Sequence, residues 1–476
     1  MIDMKNLLLV LVLAVAFASC SDGSSDSDDG GTDTDTGPVE CNLGEYSGDF
    51  EITEQPDLAT LAGYTSISGD LGINCSLCTD LSELNCLTSV GERLSIDNND
   101  ALTSLDGLNA LTSVGEDLLI ERNDAITSLD GLNALTSVDG DLLLENNDAI
   151  TGLDGLNALT SVGGNLRIWR NSALTNLNGL NALTSVGGTL NIYNNNALID
   201  MGGLSALTST GVHLVIENNN ALPSLNGLGA LTSVGEYLQI LENAALASLD
   251  GLSALTSVGG ELKIHENAAL ENLDGLSALT SVGELILYCN EALTNLNGLS
   301  GVTSVEWGLW IEGNTALTSL AGLNGVTGSV DGDLWIIANT ALTDLDGPSG
   351  LTSVGGDLWI ANNDDLLNVD GLSGIAGPVG EDLALGNNES LVNLDGLSGI
   401  TSAGDDLWIR DNPALANLDG LSGVTSVGDE FSIYENDILP DCEVCEVLDQ
   451  ITSGPVSIDV HSNFDDLCTP VPDSCP

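Results

Sequence analysis

Apolar residues in this chain fall into short clusters that recur at a nearly fixed interval. The stretch Gly355–Leu372, GGDLWIANNDDLLNVDGL, is one copy of the unit. Aligning the chain on the apolar-x-apolar core of each copy (FEI at Phe50, LGI at Leu71, LSI at Leu94, on to FSI at Phe431 and VSI at Val456) gives 18 anchors, 21 to 25 residues apart and most often 24. A period of this size marks stacked supersecondary units, none of which can bury its apolar face without a neighbour. The pattern predicts a solenoid.

Within one copy the apolar residues form three clusters: Leu358 with Ile360, then Leu366 with Val369 and Leu372, and, from the segment before, Leu351 with Val354. Each is too short for a helix, and Gly or Asp-Gly separates them, which is turn chemistry. In-out alternation over three positions predicts brief strands. The expectation is an all-β, right-handed parallel β-helix of about 18 coils of ~24 residues, with three short strands per coil. Stacked at roughly 4.8 Å per coil, it would extend on the order of 80 Å.

An asparagine stands three residues after the apolar residue that closes each strand in fifteen successive copies: Asn99, Asn123, Asn147, Asn171, Asn195, Asn219, Asn243, Asn267, Asn290, Asn314, Asn339, Asn363, Asn388, Asn412 and Asn436. An inward turn leaves backbone groups that no strand ladder satisfies, and an amide offers both donor and acceptor to meet them. These residues are expected to form an internal structural ladder.

The unit LTSVGGDLWIxNNxALxxLxGL resembles the repeat of receptor L-domains, leucine-rich-repeat relatives found in growth-factor receptors and bacterial surface lipoproteins. The likeness covers roughly residues 48–458, although no cysteine-rich module interrupts the coils. It implies the right-handed coil and a binding or scaffold role outside the cytoplasm. It does not carry hormone binding with it.

Before the repeats, Leu7–Ala18 is an uninterrupted apolar run after Lys5, too short to span a bilayer and suited to a signal-peptide core. Ala18-Ser19-Cys20 resembles a bacterial lipobox with Phe17 in place of the usual Leu, which makes Cys20 the expected lipidation site. Residues 1–19 thus read as a lipoprotein signal peptide, and Ser21–Glu40, rich in carboxylates with Val39 its one apolar residue, as a solvated tether. EF-hand spacing is absent there, so calcium binding is not expected. Residues 41–91 read as an N-terminal cap with the first coils, 92–440 as the solenoid, and 441–476 as a C-terminal cap.

Two groups of four cysteines, Cys41, Cys75, Cys78 and Cys86, then Cys442, Cys445, Cys468 and Cys475, flank the array. In an exported chain they read as disulfides stapling the end coils, with the pairing open, since each group allows three connectivities. Zinc at Cys75-x-x-Cys78 or Cys442-x-x-Cys445 is the rival reading, weakened by the lack of a nearby histidine. Cys289 is a lone thiol. In Asp441–Ile451 the spacing of Cys442, Cys445 and Leu448 predicts a short amphipathic helix over the last coil.

Asp and Glu number 71 against 7 Lys and Arg, a formal net charge of −64. Such a field excludes nucleic acid and anionic membrane surfaces as partners. His213, His265 and His461 belong to no metal-spaced cluster, and no GxSxG, HExxH or phosphate-loop sequence occurs. Cleavage of acidic polysaccharides would need cations to stabilise developing negative charge. The solenoid offers chiefly Arg93, Arg122, Arg167, Arg170, Lys263 and Arg410. No catalytic residue, cofactor or metal is expected. A Thr column (Thr112, Thr136, Thr160 and onward) reads as outward β-propensity.

Aromatic residues are 3% of the chain, yet four Trp share the outward middle position of the strand: Trp310, Trp335, Trp359 and Trp408, with Ala384 interrupting. Trp169, Tyr193, Tyr288 and Tyr434 lie at the edge of the same sheet. A contiguous apolar strip beside Glu312, Asp333, Asp357 and Asp406 has the form of an interaction surface for sugar rings or a protein. The sequence therefore predicts a lipid-anchored protein of the bacterial outer membrane or cell surface that binds a glycan or surface protein through these four indoles. It would touch the membrane only through its anchor. A passive envelope spacer, its indoles stacked for stability, is the alternative.

Overall fold

The computed structural model describes residues 40–464. The expected signal peptide, Cys20, almost all of the expected tether, Cys468 and Cys475 lie outside the described residues.

The apolar-x-apolar segments form one parallel ladder of 18 strands, from Phe50–Ile52 to Ser457–His461. Like residues stand beside like, as in Leu334↔Leu358 and Ile336↔Ile360. The ladder is open: its first strand pairs with Leu71–Ile73 and its last with Glu430–Tyr434. Both apolar residues of each core face the interior, as the fully buried Leu358 and Ile360 do. The shorter Ser-Val segments make a second parallel run on another side of the coil, ten strands from Gly44–Tyr46 to Ser257–Val258 and five from Thr327–Val330 to Ser426–Val427. Between those stretches, Ser281–Tyr288 and Ser304–Glu312 run straight through what is elsewhere a turn and join both sheets. The architecture is a leucine-rich-repeat-like β-solenoid.

The expected third strand is not there. Where Leu366, Val369 and Leu372 were read as a strand cluster, the chain makes successive three-residue turns: Leu366 N–H donates to Asn363 O at 3.1 Å, Leu372 to Val369 O and Ile375 to Leu372 O, both at 2.9 Å. Asp370–Leu372 is a short 3-10 helix, and similar turns recur through Asp419–Leu421. The reason is periodicity. Asn363, Leu366, Val369, Leu372 and Ile375 are all fully buried, and an inward residue at every third position suits three residues per turn rather than a strand's alternation. The Asp-Gly glycines answer a further demand, close approach between coils. A Cβ on Gly371 would lie 2.0 Å from the Leu345 carbonyl oxygen of the coil before.

All fifteen asparagines are buried. Asn219 is typical: its Nδ2 donates to Ile192 O at 2.8 Å and Glu217 O at 3.1 Å, and its Oδ1 accepts the Asn195 backbone N–H at 3.1 Å. Each amide thus satisfies backbone in a neighbouring coil, and most also bond backbone within their own turn. The residue before it turns the corner in the left-handed region, with φ of 55° at Asn98, 57° at Asn362 and 55° at Asn387. Asparagine tolerates that region best among residues with a side chain.

At the N-terminal end Cys75 N–H donates to Asn99 Oδ1 at 2.9 Å, and Cys75 is bonded to Cys78. The disulfide occupies the corner that Asn99 and Leu102 fill one coil later. Cys41 pairs with Cys86. These pairings replace the zinc reading of Cys75-x-x-Cys78. At the other end Asn463 accepts the Asn436 N–H at 3.2 Å, a sixteenth rung. The sequence alignment missed it because the last strand was anchored on Val456. Pairing Phe431↔Ile458 and Ile433↔Val460 moves that anchor on by two residues.

The terminal helix Asp441–Gln450 buries Val444, Val447 and Leu448. This stripe replaces the expected Cys442–Cys445–Leu448 face, because two valines lose more by exposure than two half-buried cysteines. Cys445 is disulfide-bonded. Among the described residues no helix is long and apolar enough to cross a membrane.

Candidate functional site

The middle residue of each strand core points away from the interior, so the long ladder presents an outer face of variable side chains. On this face Trp310 pairs in register with Trp335, Trp335 with Trp359, Trp359 with Ala384, and Ala384 with Trp408. The structure therefore brings the predicted indoles into one row. It changes how they pack. Ring centroids lie 4.8 Å apart for Trp310 and Trp335 and 5.7 Å for Trp335 and Trp359, with interplanar angles of 66° and 68°. These contacts are edge-to-face, the arrangement an aromatic quadrupole favours, rather than stacked. Trp310, Trp335 and Trp359 touch in sequence, and all four indoles are half-buried rather than openly exposed.

The indole nitrogens are treated unequally. Trp310 Nε1 donates to Glu312 at 2.6 Å. Trp335 Nε1 is buried with no acceptor. Leaving such a donor unpaired costs about 1–3 kcal/mol, and Trp169 Nε1, outside the row, is likewise buried without a partner.

The gap in the row is a hollow. Ala384, 4% exposed, and Gly386 form its floor, and Trp359 and Trp408 stand on either side. Asn362, Asn387 and Arg410, with Ala361 and Leu385, complete the lining of a space of about 70 Å³. The Arg410 guanidinium carbon lies 5.4 Å from the Trp408 ring centre, and its Nη1 donates to the Tyr434 hydroxyl at 3.1 Å. Sequence reasoning treated Ala384 as an interruption and overlooked Gly386 and Arg410. The visible signal was two small residues, Ala384 and Gly386, in one strand between Trp-bearing neighbours. A second hollow, of about 220 Å³, lies between Lys263 and Trp310 over Ile286.

The edge aromatics share the outer face two residues on. Trp169 stacks on Tyr193 at 4.9 Å under the Arg170 guanidinium, and Tyr434 on His461 at 4.7 Å. Trp307, which the sequence reading did not single out, is 51% exposed within the strand Ser304–Glu312, its ring over Gly283.

Beside the indoles runs a carboxylate column, and it is partly structural. Asp333 Oδ1 accepts the Asp357 N–H, Asp357 Oδ1 that of Asp382, and Asp382 Oδ1 that of Asp406, at 2.9 to 3.0 Å. Burial raises the Asp382 carboxyl above its ordinary pKa, opposed by the hydrogen bond from the Asp406 backbone. Asp333, Asp357 and Glu381 bring carboxylate oxygens within 4.8 Å of one another, a group that could hold a cation. The Thr column is structural too: hydroxyls such as Thr112 and Thr136 donate to the preceding coil's Thr carbonyl at 2.9 and 3.0 Å.

No protein-family model matches the chain, and no curated protein does. Among solved structures it is similar to a chain of "Crystal structure of TLR13-ssRNA13 complex", at 13% identity over 87% of this chain and 90% of that one, with a TM-score of 0.15. An overlap that low carries no argument about fold or ligand. The solenoid rests on its own strand pairing.

Proposed function

We propose that this chain is a surface lipoprotein of the receptor L-domain kind, anchored through Cys20, whose solenoid is a scaffold presenting a ligand-binding face to glycans or surface proteins. The observation that supports this most is the placement of indoles on the outer face of four of five successive coils, where interior packing demands no aromatic residue. Indoles and polar neighbours on a rigid frame are the usual composition of a recognition surface.

A glycan and surface-protein array read with the full chain, beside the double variant Trp335→Ala/Trp359→Ala, tests the proposal. The parent should bind a defined subset of probes and the double variant should lose it. Equal binding by both, with a lower melting temperature in the variant, would assign the row to structure and favour the spacer. Export and acylation are checked separately by metabolic labelling with a fatty-acid analogue, which should mark the parent and not Cys20→Ser.

A further inference from the structure

Resting on that reading, we infer that the ligand is a neutral sugar and that one pyranose ring enters the hollow over Ala384 and Gly386, between Trp359 and Trp408. The strands carrying these two indoles are two ladder steps apart, about 10 Å. A ring in van der Waals contact with a wall on each side needs roughly 7–8 Å between them. The strand spacing therefore leaves room for one ring and not for two, with Arg410 sharing the Trp408 side. The floor is low because its two residues have almost no side chain, and the space of about 70 Å³ takes a ring's edge rather than a whole oligosaccharide.

Charge and hydrogen bonding narrow the chemistry. A cation would suit two indole faces, but the chain's own Arg410 already lies beside Trp408 and lines the hollow. An anion would have to enter a field set by 71 acidic against 7 basic residues. What remains is a neutral ring with an apolar face and polar edges. The Asn362 and Asn387 amides and the Arg410 guanidinium are placed to meet hydroxyl groups, while C–H faces lie on the indoles. An aromatic side chain of a protein would fill the same gap but leave those polar groups without work. The larger hollow over Ile286 has one indole wall and charged Lys263 and Glu312 in its lining, and is a poorer fit.

The test is titration of the full chain with neutral hexose oligosaccharides, uronic-acid oligosaccharides and Trp-containing peptides, followed by tryptophan fluorescence and calorimetry. The decisive variant is Ala384→Trp. It completes the aromatic row and fills the hollow from outside the core, and Gly386→Val narrows the hollow by a second route. A Cβ at Gly386 would make only ordinary contacts with Arg410, 3.5 Å from its Cγ and 3.6 Å from its backbone oxygen, and the melting temperature of the valine variant checks that its two further methyls are accommodated. Neutral oligosaccharides should bind, and both variants should weaken binding by about ten-fold or more with the melting temperature held. If both variants bind like the parent while Trp335→Ala/Trp359→Ala does not, the ligand lies along the row; the inference fails and the broader function stands. Binding of peptides or uronic acids in preference to neutral sugars overturns the assigned chemistry. No binding of any probe overturns the inference, while the proposed function falls only if the glycan and surface-protein array is negative as well.

Discussion

Two stretches of the outer face, built by the same strands, differ in almost everything but their frame. Over coils at Leu94 to Leu190 the outward residues are Ser95, Leu119, Leu143, Arg167 and Asn191, edged by Asp97, Glu121 and Glu145. Arg122 answers part of that charge, 2.7 Å from Asp97 and 3.5 Å from Glu121. Over coils at Leu309 to Leu407 the same positions hold four indoles and Ala384. Inside, both stretches have the same paired apolar residues and the same asparagine. The interior specifies the coil, so outer residues vary without disturbing it. The interior and the outer face are thus carried by different side chains of one short strand.

The hardest test of that separation is inside. Asn147→Leu and Asn363→Leu should each cost about 1–3 kcal/mol per group left unpaired, and by equal amounts, because the two amides do the same work under unlike faces. Unequal losses of melting temperature would show that the faces feed back on the frame. On the aromatic stretch, Trp335→Ala and Trp359→Ala should each change stability by no more than about 1.5 kcal/mol, while together they abolish binding.

Acid should stabilise both stretches. Burial raises the Glu145 carboxyl, helped by Glu121, and burial raises Glu284, helped by Glu261; Asp382 is also raised. A carboxyl raised in the fold binds its proton more tightly there than in the unfolded chain. Its contribution is full below the ordinary carboxylate range and is lost as pH rises through the folded value. Melting should therefore occur at higher temperature at about pH 5 than at pH 8, and added salt should narrow the difference by screening like charges. A flat profile at low salt would remove repulsion as an important cost. The smallest effect is expected at Arg122→Ala, at most about 1 kcal/mol, since the guanidinium is about half exposed.

The frame was legible in the sequence where its signal repeats. Strand cores at Leu334 and Leu358 align by eye, and Asn339 and Asn363 follow them at a fixed distance. The third side was misread because Leu366, Val369 and Leu372 were taken as a cluster, while their spacing of three is a turn period. Asn463 was lost at the end of the array, where Val456 offered a false anchor two residues early. The hollow at Ala384 escaped for a different reason. Periodicity finds residues that are present, whereas a recess is made by side chains that are small, and only the neighbouring coils give it walls.

The asparagine ladder also has a direction. Every rung accepts from the coil before it and donates onward, so each coil offers the same pair of complementary surfaces to whatever follows. Excising or duplicating one unit of about 24 residues rejoins like to like. Such a protein can change its reach by unequal recombination in increments of one strand spacing, about 4.8 Å. The length of the stack is then heritable, adjustable apart from the side chains on its outer face.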